Sequence, residues 1–136
     1  MADAPRPTGV YETVLYTDDV AAVVPFYAEV VGLRAIDPPD EQSAAFRLAD
    51  GGLLLIFSPE RTSAAGRFVP PHGTTGPGHV AFRLASGDLD RVAGHLASAA
   101  VDIEREITWP LGGRSIYVRD PAGNSVEFVE GEIWAP

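Results

Sequence analysis

The 136-residue chain has no cysteine and a single methionine. Without cysteine there can be no disulfide framework, no thiolate nucleophile and no zinc or iron–sulfur site held by sulfur. Any metal chemistry must then come from aspartate, glutamate and three histidines. Basic residues are also scarce. Ten Lys plus Arg stand against nineteen Asp plus Glu, and the resulting net charge of −9 repels a phosphate backbone, so nucleic acid is not an expected partner. No apolar run approaches the roughly 18 to 20 residues that span a bilayer, and the opening residues lack the basic and apolar regions of a secretory signal. The expected setting is cytoplasmic, away from membranes. What is abundant is core material: 46% of the residues are hydrophobic, enough for one globular domain.

Residues 1–8 carry two prolines and no periodicity, and are expected to form a frayed arm. Residues 11–17 are rich in β-branched and aromatic types and run into Asp18-Asp19, a helix N-cap pair. Residues 20–31 place valines and Tyr27 at mixed three and four spacing, with Gly32 as C-cap. Pro25 predicts a bent first turn, or a helix beginning near Val24. A turn at 37–40, strands at 44–49 and 53–57 and a turn at 50–52 complete the first unit. Residues 58–77 hold prolines and glycines with little periodicity and read as a long connection. The order then restarts: strand 79–84, helix 88–100, and strands 103–109, 114–119 and 125–130, the last two joined by the turn Asp120-Pro121-Ala122-Gly123-Asn124. This is a pseudo-repeat of roughly 50 residues. Each unit has one helix to cover one face of its sheet, so the other face is left for a cleft.

Period-two alternation assigns the faces. Val80, Phe82 and Leu84 face the helix, which sends His79, Ala81 and Arg83 inward. Ile116 and Val118 go outward, with Ser115, Tyr117 and Arg119 inward. Val126 and Phe128 go outward, with Ser125, Glu127 and Val129 inward. On the first strand Glu12 shares a face with Val14 and Tyr16. If that face is also the inner one, Glu12, His79 and Glu127 converge from three strands. Arg83, Arg114 and Arg119 can hold an anionic substrate or neutralise Glu12 and Glu127. Trp109, Tyr16, Phe57 and Tyr117 can line an apolar pocket, although aromatic residues on strands are commonly core. His72 and His95 read as surface residues.

Three stretches carry a family resemblance: Phe26-Tyr27-Ala28-Glu29-Val30-Val31-Gly32-Leu33, His79-Val80-Ala81-Phe82, and Ser115 through Glu127 with its DPAGN turn. From about Gly9 to Glu130 the chain resembles the vicinal oxygen chelate superfamily of glyoxalases, bleomycin-resistance proteins and extradiol dioxygenases. The resemblance implies an α+β fold of two tandem βαβββ modules, 9–58 and 77–131, joined by a loop at 59–76 and forming a cleft-bearing curved sheet. It also implies a metal triad of Glu12, His79 and Glu127. Glu12 stands seven residues before Asp19, where metal-binding members usually have histidine.

The family's fourth ligand maps to about Ile56, which cannot bind a metal or move a proton. That departs from a glyoxalase I-type mechanism, which needs a carboxylate there. The fosfomycin-modifying transferases carry a lysine and a serine where this chain has Ile107 and Leu111; only Tyr117 agrees. The dioxygenases add a second His and Tyr, for which His72 and Tyr117 are the nearest candidates.

The resemblance thus implies an enzyme (lyase, transferase or dioxygenase) with a divalent Mn, Fe, Co, Ni or Zn ion and a small oxygenated substrate that chelates it. Glu127 and Tyr117 would be catalytic, and Arg83, Trp109, Tyr117, Arg119 and Phe57 would contact substrate. A homodimer is expected, with modules paired within or across chains. The alternative is a metal-free binding or resistance protein enclosing an aromatic or cationic compound.

Overall fold

A computed structural model of the protein describes residues 4–136. The expected arm therefore lies partly outside the described residues, and residues 4–11 carry no regular structure. The first module comprises β1 (Glu12–Tyr16), α1 (Val20–Pro25) with a π-helical extension (Phe26–Val30), β2 (Arg34–Ala35), β3 (Ser43–Arg47) and β4 (Leu53–Phe57). The second comprises β5 (His79–Leu84), α3 (Leu89–Ser98), β6 (Arg105–Thr108), β7 (Arg114–Arg119) and β8 (Ser125–Glu130). The fold is the expected α+β repeat, built as two four-stranded sheets of matching order, β1-β4-β3-β2 and β5-β8-β7-β6. In each, the first strand pairs in parallel with the last.

Three expectations need correction. The connection is not devoid of structure: α2 (Pro59–Ser63) opens it, with Pro59 in the first turn, where its missing N–H has no helical partner to lose. The two-residue strand β2 was not anticipated; it is short enough to leave no alternation to read. The first helix neither bends in its first turn nor starts near Val24. It begins at Val20, where Asp19 accepts a hydrogen bond from the Ala22 N–H at 3.1 Å. The proline acts later. With no donor at Pro25, the following turns widen, the Val31 N–H reaches the Phe26 carbonyl at 3.0 Å, and Gly32 closes the helix at φ +84°.

The core is one cluster shared by both modules. Leu54, Ile56, Phe46, Val23 and Tyr27 from the first meet Leu89, Leu96, Ile116, Val118, Val126 and Phe128 from the second. Of these, Ile116, Val118, Val126 and Phe128 are positions that alternation sends toward the helix. The DPAGN turn joins the modules: Asp120 accepts from the Tyr27 hydroxyl at 2.6 Å and from the backbone of Ala122 and Asn124 at 2.9 Å. Asn124 donates to the Tyr16 carbonyl at 3.3 Å and accepts from the Gly78 N–H at 2.7 Å. The residue before β5 is thereby fixed against the end of β1.

Candidate active site

The inner face of the second sheet brings His79 and Glu127 together. His79 opens β5 and Glu127 is the third residue of β8, so the parallel register sets His79 opposite Ser125, two residues from Glu127 on the same face. The His79 Nε2 lies 3.3 Å from the Glu127 Oε1. The imidazole is half exposed, while Glu127 is only 4% exposed. The other ring nitrogen, Nδ1, lies 3.1 Å from the Ser125 carbonyl oxygen and 3.1 Å from its hydroxyl. With Nδ1 donating to the Ser125 carbonyl, a neutral ring turns its Nε2 lone pair toward a carboxylate oxygen; with Nδ1 accepting from the Ser125 hydroxyl, Nε2–H donates to Glu127 Oε1. In the first tautomer two electron-rich atoms face each other and repel unless a cation lies between them or the ring takes up a second proton. This donor pair fits a divalent ion of the oxygen- and nitrogen-ligated kind.

The far oxygen of Glu127 is committed. The Ser115 hydroxyl donates to Oε2 at 2.5 Å, and the Trp109 indole N–H donates to Ser115 Oγ at 2.8 Å. Tyr117, opposite Glu127 across β7 and β8, stacks on the His79 ring with centroids 6.2 Å apart. Its phenol pKa is raised, first by burial and then by the charge and hydrogen bonding of Glu127, so it stays protonated beside the carboxylate. Beside it, Ile107, Tyr117, Arg119, Glu104, Arg105 and Ser125 line an open groove of about 330 Å³.

The remaining expected site residues are distributed more widely. Glu12 is exposed on the inner face of the first sheet, and among the described residues no three His, Asp or Glu side chains gather closely enough to hold a metal ion. Phe57 lies on that first sheet with Tyr16 and the loop residue His72, its ring centroid 5.9 Å from that of His72. The Tyr16 hydroxyl is hydrogen-bonded to His72. His72 therefore belongs to the Tyr16 and Phe57 cluster rather than to Tyr117, and it is exposed, as its loop position implied. The arginines do not neutralise the site carboxylates: Arg83 pairs with Glu132 at 3.2 Å, Arg114 with Asp90 at 3.1 Å and Arg119 with Glu104 at 3.0 Å.

The position facing the cleft on β4 also needs correction. Ile56 is 1% exposed in the core, and the inner face of β4 carries Leu53, Leu55 and Phe57. Leu55, third in β4 as Glu127 is third in β8, is the counterpart of Glu127. It is equally unable to ligate. Sequence reasoning placed Ser115 on the correct face but gave it no role. The available signal was a small hydroxyl on the Tyr117 face of β7, one strand from an inward glutamate.

Comparisons with known proteins agree with this architecture. The profile of the Glyoxalase/Bleomycin resistance protein/Dioxygenase superfamily matches residues 9–128. A crystal structure of lactoylglutathione lyase from Agrobacterium tumefaciens is 35% identical, covers 97% of this chain and 100% of its own, and superposes with a TM-score of 0.89. A glyoxalase/bleomycin resistance protein/dioxygenase from Nocardioides, at 22% identity and 99% and 92% coverage, superposes with a TM-score of 0.75 and shares the fold. Among curated protein sequences no match is found. With the repeated βαβββ order, the matching sheets and the profile over most of its length, the chain belongs to the Glyoxalase/Bleomycin resistance protein/Dioxygenase superfamily.

Proposed function

We propose that the protein is a divalent-metal-dependent enzyme acting on a small oxygenated substrate that chelates the ion. The ion would be held by His79 Nε2 and Glu127 Oε1, and completed by Glu12 of the partner subunit in a homodimer. The observation that carries this reading is the approach of His79 Nε2 to within 3.3 Å of Glu127 Oε1. Among the described residues no arginine forms an ion pair with Glu127, and the tautomer in which Nδ1 donates to the Ser125 carbonyl turns the Nε2 lone pair toward the carboxylate. Completion across two chains is supported by the exposed inner edge of β5 and by Glu12 lying on an inner sheet face without joining the pair.

When bound, such an ion supplies Lewis-acid activation of a substrate oxygen. This chain's own groups do the rest. Tyr117, held protonated, can turn the hydrogen bond it makes with Glu127 toward the bound molecule. Ile107 and the Tyr117 ring form an apolar wall, and Arg105 and Arg119 set a polar rim that favours oxygenated groups. Leu53 and Leu55 leave the inner face of β4 without an acid or base. The related A. tumefaciens protein is named lactoylglutathione lyase. If this chain performs a lyase reaction, proton transfer is assigned to the second-module residues, not to β4.

Elemental analysis of protein purified without chelators tests the reading. About one divalent ion per site is expected, with at least a tenfold loss in Glu127→Ala. Absence of stoichiometric metal from the parent protein contradicts it. The second reading, a metal-free binding protein, is favoured by one observation: among the described residues no three His, Asp or Glu side chains gather closely enough to hold a metal ion. In that case melting is indifferent to EDTA and to added ion. A true site saturated at a hundred times Kd gains about 2.7 kcal/mol.

A further inference from the structure

Two side chains behind Glu127 are unusually constrained by what they can donate and accept. An indole N–H donates only, so at 2.8 Å from Ser115 Oγ it obliges the serine oxygen to accept. Its single proton is then free to go to Glu127 Oε2, 2.5 Å away. Ser115 is 1% exposed and Glu127 4%, so water does not compete for either bond. Oε2 is thus spent inside the protein, and the oxygen left facing His79 is Oε1.

We infer that Trp109 and Ser115 form a brace that commits one oxygen of Glu127 to the protein and presents the other as a single-oxygen ligand, making both of them positioning residues of the site. This assigns Trp109 a polar duty behind the carboxylate in place of the substrate contact expected from its aromatic character. Trp109 acts only through Ser115, so its influence disappears when the hydroxyl is gone. The inference rests on the proposed metal reading for its ligand role, while the brace itself is measurable without metal.

Without metal, hydrogen exchange at the Trp109 indole is expected to quicken about tenfold or more in Ser115→Ala, while Trp134, 82% exposed, exchanges fast in both proteins. Unchanged exchange overturns the brace. With Zn²⁺ in competition with a chelator, Ser115→Ala is expected to weaken binding about 10- to 100-fold. Trp109→Phe should weaken it by a smaller factor, and the double variant should bind no more weakly than Ser115→Ala. Ser115→Thr, which keeps the hydroxyl, should restore most of the affinity. Independent, multiplying losses, or a Ser115→Ala protein that binds as tightly as the parent, overturn the positioning role. A parent protein that takes up no Zn²⁺ overturns the metal reading instead, and the exchange measurement still decides the brace.

Discussion

Tyr27 shows how one residue serves both the core and the contact between modules. Its ring is fully buried in the shared core and its hydroxyl donates to Asp120 at 2.6 Å. Burial first, and then the Asp120 hydrogen bond and charge, push the phenol pKa far above the usual value. The neutral phenol is therefore favoured in the folded protein. Its contribution is complete below about pH 10, the ordinary tyrosine value, and declines as the pH rises beyond it, by up to about 1.4 kcal/mol per pH unit. Tyr27→Phe is expected to lower stability at pH 7 by about 1 to 3 kcal/mol, because Asp120 loses a buried donor, and to flatten the alkaline decline. Urea unfolding at pH 7, 10 and 11 checks both. At the same scale, His79 and Glu127 were legible in the sequence because apolar neighbours fix the faces of β5 and β8. Alternation names a face but not which side chains on it touch. That is why the Ser115 and Trp109 bonds were not foreseen and Phe57 was grouped with Trp109, from which its cluster on the first sheet separates it.

Elements with several alternating residues were read almost to the residue: β4, β5, β7 and β8 follow the expected spans. Where the chain gives fewer than two turns or two alternations, as in α2 and β2, local capping and pairing decide instead. The Thr62 N–H bonded to the Ser58 carbonyl at 3.2 Å and the pairing of Arg34 with Arg47 are bonds that no periodicity announces. Pro25 was flagged, but its effect falls on the carbonyls behind it and the turns after it, which moved the distortion to Phe26–Val30. The start of β7 makes an independent test. At Gly113 a Cβ would lie 2.4 Å from the Glu132 carbonyl oxygen, and the Gly113 N–H donates to that same oxygen at 3.1 Å. Gly113→Ala is expected to displace the C-terminal segment from β7 and cost about 1 to 3 kcal/mol. Chemical denaturation measures the loss, and faster exchange at the Gly113 amide locates it.

For the whole molecule, the repeated order and the burial pattern define two sheets with a common core and two inner faces, one bearing His79 and Glu127 and the other Glu12. The expected convergence of Glu12 on His79 and Glu127 is absent among the described residues, while the repeated order itself followed from the pseudo-repeat. The distance between the two faces did not, because it depends on how modules are joined, and here the join is made by Tyr27, Asp120 and Asn124, residues with no periodic signature of contact. A site shared across chains requires a stable dimer. Sedimentation is expected to give twice the mass of the 14.4 kDa chain, and a monomer at micromolar concentration removes the shared site. Glu12→Ala is then expected to weaken Zn²⁺ binding about tenfold or more without lowering the melting temperature of the metal-free protein by more than a few degrees, since Glu12 is exposed. Anomalous diffraction at the absorption edge of the bound metal is the most direct measurement. The account predicts one peak, about 2.0 to 2.2 Å from both His79 Nε2 and Glu127 Oε1, with Glu12 of the partner subunit beside it. A map without that peak, in which the two side chains meet through a proton alone, contradicts it.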